Sequence, residues 1–164
     1  MTKNQNILIT IILVFTISSV AIGQSVATDH YKTKTFDCII FPATSNELIG
    51  GERFTPTRIE IQKAEKLLNE GLKNINASLL NQNGSDQSPI IHEKLKKYKR
   101  QYFGYIDKNK SKLLFINCFW PNKRHLDNWD KQMIFVLDGG SYYWSIKVNL
   151  ETEELFELSI NGNA

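Results

Sequence analysis

Side chains suited to acid–base or metal chemistry are sparse in this chain. There are three histidines, His30, His92 and His125, and none lies four residues from another. Neither Cys38 nor Cys118 belongs to a pair at zinc-ligand spacing. HExxH, phosphate-loop and nucleophile-elbow patterns are absent from the sequence. The segment His125-Leu126-Asp127-Asn128-Trp129-Asp130 places an imidazole near two carboxylates, which could serve a metal. The same residues also make an ordinary polar loop with capping aspartates, and that is the expectation, with no metal and no cofactor. A Ser/His/Asp triad is assembled in space and leaves no spacing to find. Catalysis is therefore the secondary expectation.

The chemistry of contact is better represented. Trp120, Arg124, His125 and Trp129 lie in or beside the loop Pro121–Lys131. Tryptophan and arginine are over-represented where binding energy concentrates, and loops on rigid scaffolds often carry function. These four are the candidate binding residues. The competing reading is that Trp129 folds back to seal the sheet. A second feature is the basic run Lys94, Lys96, Lys97, Lys99 and Arg100, leading into Tyr98, Tyr102, Phe103 and Tyr105. It suits an anionic surface, a glycan or a lipid head group. It also suits an edge strand guarded by lysines against edge-to-edge pairing, and the guard is the expectation.

The start of the chain speaks to compartment. Lys3 is followed by the apolar stretch Ile7–Ile17, and small residues end at Gly23. That pattern predicts a secretory signal over residues 1–23, cut before Gln24. The apolar core is about half of the roughly 20 residues a spanning helix needs. No cysteine there can take a lipid, so the expected product is an exported protein, secreted or periplasmic, without a membrane span. Residues 24–164 have the length of one domain. The net charge of +3 includes Lys3, too little to imply a nucleic-acid partner. In an oxidising compartment Cys38 and Cys118 are candidates for one bridge; two buried thiols are the alternative. The N-glycosylation patterns at Asn76 and Asn83 are read as chance matches.

These features need elements to position them. Phe36–Phe41 reads as a short buried strand, followed by a loop containing Gly50-Gly51. A helix follows, with two possible starts. Thr55 can cap with Pro56 at the first position and Phe54–Ile59 as a staple, or Thr57 can cap with Glu60 as its box partner. Ile61, Ala64, Leu68, Leu72 and Ile75 form one apolar stripe, read as core rather than a partner's groove filler. Gly71 in that helix suggests close passage over the sheet. Tyr98–Asp107 and Lys112–Trp120 read as strands. In the second, Leu113, Phe115 and Phe119 face one way, and Leu114, Ile116, Cys118 and Trp120 the other. A strand apolar on both faces is central, so its second face needs a cover, either the Phe36–Phe41 region or a partner. Met133–Leu150, broken at Asp138-Gly139-Gly140-Ser141, predicts a hairpin. Its second arm points Trp144, Ile146, Val148 and Leu150 to one face. Leu155–Ile160 completes the sheet, with Phe156, Leu158 and Ile160 alternating inward.

One long helix on a curled antiparallel meander is an α+β arrangement. In architecture it resembles cystatin-like and NTF2-like domains of small exported bacterial proteins, without a diagnostic motif. The inhibitory loops of cystatins are not matched: Asp107-Lys108-Asn109-Lys110 and Asp138-Gly139-Gly140-Ser141 stand in their places. Two functions are expected from these readings. The first is an exported, non-catalytic module binding a protein or cell-envelope component. The second is a small enzyme with a pocket between helix and sheet, as NTF2-like proteins can have, which requires a buried ionisable group.

Overall fold

The computed structural model describes residues 27–47 and 49–162. The expected signal at 1–23 lies outside the described residues. The elements run β1 (Asp29–Lys32), β2 (Asp37–Phe41), β3 (Glu52–Phe54), α1 (Arg58–Ile75), β4 (Lys99–Ile106), β5 (Lys112–Phe119), α2 (Lys123–Leu126), β6 (Tyr143–Asn149) and β7 (Leu155–Ile160). The sheet is ordered β1-β2-β4-β5-β6-β7. β3 pairs with the far half of β4, beyond the residues that β2 occupies. Every pair is antiparallel except β2–β4. Parallel neighbours need a long crossover, and α1 lies within it. The fold is α+β, one long helix on a mostly antiparallel sheet.

Of the two helix starts, the fold uses Thr57. Its hydroxyl accepts from the Glu60 amide, and the Glu60 carboxylate accepts from the Thr57 N–H at 2.8 Å. The staple is not made, since Ile59 is 79% exposed. Ile61, Ala64, Leu68 and Leu72 are buried against the sheet. Gly71 marks the close passage, because a Cβ there would sit 3.0 Å from Leu155 Cδ1.

The sheet has two buried faces. Under α1 lie Cys38, Ile40, Tyr98, Tyr102, Leu114, Ile116, Cys118, Trp144, Ile146 and Val148. The alternation expected in β5 and β6 is observed. β7 departs from it: a register shift opposite Ser145–Lys147, with Glu157 at φ 48°, interrupts the period of two. Leu155, Leu158 and Ile160 consequently pack on the helix side. Phe156 instead lines a cleft with Tyr105, Leu113 and Lys147.

The second face overturns the expected hairpin. Residues 133–139 form no strand; with Trp129 they make a strap crossing the open face of the sheet. Its backbone is satisfied by side chains instead of a ladder. Gln101, fully buried, donates to Trp129 O at 2.7 Å and Gln132 O at 2.8 Å, and accepts from Ile134 N at 2.8 Å. Asn117 donates to Ile134 O at 2.7 Å and to Gln101 Oε1 at 2.9 Å. Gly139 and Gly140, both at positive φ, lead into a single 3-10 turn before β6. This strap covers the second face, while the Phe36–Phe41 region supplies β2, Asp37–Phe41, within the sheet itself.

Of the two readings of the cysteines, the bridge is not formed and the buried thiols are what is observed. Cys38 and Cys118 are free and buried. In register they flank Arg100 from opposite sides, two inter-strand spacings apart, about 10 Å. A disulfide requires Cα atoms within about 7 Å.

Candidate functional site

Trp129, a candidate for contact, is only 7% exposed. It packs with Ile39, Phe41, Phe103 and Phe119 beneath the strap. Lys99 Nζ lies 4.9 Å from its ring centroid, and the His30 ring meets it edge-on at 5.3 Å. Lys99 and His30 are themselves held by Asp37. His30 Nε2 lies 2.6 Å from Asp37 Oδ1, while Lys99 and Lys32 share Oδ2. Burial works upward on the Asp37 carboxyl, but bonds from Lys99 and His30 outweigh it and hold its pKa below the ordinary 3.8. The sign follows. A depressed folded pKa stabilises the fold above pH 3.8, and that contribution is lost as pH falls through the folded value. Asp37→Asn is expected to flatten the acid limb of stability below pH 4, read by urea melts from pH 6 to pH 2.5. An unchanged limb would place the acid sensitivity elsewhere.

The other candidates sit near the end where β4 begins. Trp120 is half-buried, with its ring edge-on to Tyr98 at 5.2 Å and tilted against Tyr142 at 5.4 Å. His125 is half-buried in α2, edge-on to Phe119 at 5.7 Å and Tyr143 at 5.4 Å. Asn122 caps α2 by accepting from His125 N at 3.0 Å. The Arg124 side chain lies outside the described residues. His125 and Trp129 thus both contact Phe119 and form one aromatic cluster. Trp120 faces the opposite side of the sheet, packed against the helix-side core.

What the strap shows to solvent was missed from sequence. Phe135 is 73% and Leu137 84% exposed. A strand reading had placed the whole run Met133–Leu137 in the sheet, so no signal marked these two as outward. Their backbone is held by Gln101 and Asn117, and by Asn161, whose amide donates to Val136 O at 2.6 Å and Asp138 O at 3.1 Å. A cleft of about 780 Å³ opens beside the strap, lined in part by Thr28, Glu47, Asp130, Gln132 and Met133. A smaller one of about 200 Å³ lies under it, reaching Phe115, Asn117 and Phe135.

The chain was compared with protein-family models, curated proteins and solved structures. Nothing matches.

Two further sets of residues were misplaced by the sequence reading. The lysine guard fails, because β4 is a central strand paired on both sides. Arg100 is not a surface residue; it is fully buried under α1. Its Nε lies 3.0 Å from Glu65 Oε1, and it donates to Tyr98 O and Leu95 O. Tyr102 donates to the same Glu65 oxygen at 2.7 Å. Burial pushes the Glu65 carboxyl above its ordinary range against the opposing charge of Arg100. Glu65 follows Ala64 inside the apolar stripe, and Arg100 alternates with Tyr98 and Tyr102. Those positions were the available signal. Asn76, the first glycosylation match, is buried and bonded to Gln82 and His92.

Proposed function

We propose that the protein is an exported, non-catalytic binding module that engages a protein or other cell-envelope component through its strap. The observation that carries this reading is Phe135 and Leu137, exposed on a backbone anchored to the sheet. Single exposed apolar residues are common on proteins. Here two alternate on one pinned segment, and Leu126, also exposed, precedes them in the same connection. A contact segment that is already ordered loses little conformational entropy on binding. In this reading Trp129 and His125 support the contact from beneath through Phe119, and Trp120, on the opposite side of the sheet, takes no part in it. Glu65 supplies the buried ionisable group that the enzyme reading requires, but its bonded oxygen is engaged by Arg100 and Tyr102 and it lines none of the clefts described above, which favours the binding module.

The test is capture from the exported fraction with the chain Gln24–Ala164, beside Phe135→Ser/Leu137→Ser. Circular dichroism verifies that both are folded. The expected result is a saturable partner retained by the parent and lost by the variant. Identical captures, or none from either, would remove the strap as the contact surface.

A further inference from the structure

The lysine cluster of the sequence has no edge to guard, and its surroundings give it another use. At the end where β4 begins, Lys94, Lys96 and Lys97 are exposed around a 3-10 turn, and Lys99 follows. Lys32 is brought to the same place, since it and Lys99 share Asp37. Lys34 lies in the turn between β1 and β2, directly beside them. Lys34, Lys94, Lys96 and Lys97 make no ion pair among the described residues. Acids near this end include Asp37, already shared by Lys32, Lys99 and the His30 ring, Glu93 beside Lys94, Asp130 beside Trp129, and Asp86, whose carbonyl accepts from Tyr142. Two partly buried aromatic side chains, Trp120 and Tyr142, border the cluster through Tyr98.

The residue types narrow the partner. Lysine is a point charge on a flexible stem, whereas discrete phosphates or carboxylates are usually gripped by forked arginines. None of Lys34, Lys94, Lys96 and Lys97 lines the clefts described above. The arrangement therefore fits an extended anionic surface better than a small molecule. Amphipathic rings such as those of Trp120 and Tyr142 are favoured at the lipid–water boundary. We propose that this basic end is a peripheral docking surface for a bilayer rich in anionic phospholipid. It is separate from the strap and does not depend on the strap's partner.

The probe is sedimentation of Gln24–Ala164, which holds every described element, with vesicles of phosphatidylcholine alone or mixed with phosphatidylglycerol. Binding is expected only to the mixed vesicles and is expected to fall steeply as salt rises from 50 to 500 mM. Each lysine near such a surface contributes roughly fivefold in affinity. Lys94→Gln/Lys96→Gln/Lys97→Gln should therefore lose about a hundredfold. Lys108→Gln/Lys110→Gln/Lys112→Gln, at the opposite end, removes the same charge and should stay within about fivefold of the parent. Phe135→Ser/Leu137→Ser should bind as the parent does, separating this surface from the proposed strap contact. Equal losses in the two lysine variants would mean net charge alone and overturn the proposal. So would salt-independent binding to neutral vesicles, no vesicle binding, or binding only to a soluble polyanion such as heparin.

Discussion

Glu65→Ala is expected to cost about 3–5 kcal/mol, against the 5–15 kcal/mol typical of a domain. The substitution leaves the Arg100 guanidinium, fully buried and permanently charged, with backbone carbonyls but no anion. Tyr102 loses the acceptor of its hydroxyl in the same step. Arg100→Met should cost less under acid conditions, because the remaining carboxyl can become neutral. The Glu65 pKa is already raised by burial, and removing Arg100 takes away the charge that opposes this. A raised folded pKa means stability is greatest below the ordinary value of 4.5 and falls as pH rises toward the folded one. Arg100→Met should therefore be more stable at pH 4 than at pH 8. The double change Glu65→Leu/Arg100→Met should recover most of the loss, since buried ion pairs often exchange for packed apolar groups at little net cost. Urea melts at both pH values measure all three. A double variant no better than Glu65→Ala would show that the pair is not the coupled unit proposed here.

Gln101→Leu is expected to detach the strap while leaving the helix side of the sheet intact. The volume is nearly kept, but Trp129 O, Gln132 O and Ile134 N lose their partner together. Each orphaned buried group costs about 1–3 kcal/mol. Because the strap can lift into water, the global loss should stay near about 2 kcal/mol, with the remainder appearing as local opening. Amide exchange of Ile134 should accelerate at least tenfold. Uncovering Ile39, Phe41, Phe103 and Phe119 should create a site for a hydrophobic dye. Asn117→Ala removes only the Ile134 O and Gln101 contacts and should give a smaller change. Unchanged exchange at Ile134 would mean that Trp129 packing alone holds the strap.

On the proposed reading the same change bears on binding, because Phe135 and Leu137 would be presented only while the strap is pinned. A protein lacking the Gln101 anchor should keep its circular dichroism and lose the strap's partner. The two surfaces would then respond differently: the lysine end, built on β4 and the β1–β2 turn, should be unaffected by Gln101→Leu.

Much of the frame was legible in the amino-acid order, because it rests on local periodicity. The Thr57–Glu60 box and the stripe Ile61–Leu72 set the helix. The alternation through Leu113–Trp120 and Trp144–Leu150 assigned each side chain to its face, and the two-sided apolar strand announced a central position that needed a second cover. The cover itself was not legible. Met133–Leu137 carries strand-like apolar residues, and its partners, Gln101 and Asn117, are amides that look solvent-facing in sequence. Whether such a run joins a ladder or lies across a sheet depends on which polar groups reach its backbone, and that is decided by residues about 30 positions away for Gln101. The same holds for charge and sulfur. Sequence placed Arg100 with the surface lysines and left open whether Cys38 bridges to Cys118, and the parallel β2–β4 pairing sets Arg100 between the two thiols and against Glu65. Short-range pattern thus determined which residues lie in helix and strand and which way most of them point. Only tertiary structure decided which charges are buried, which cysteines are too far apart to bridge, and which apolar residues of the strap are left facing solvent, because each of those is a question of spatial neighbours that no local period encodes.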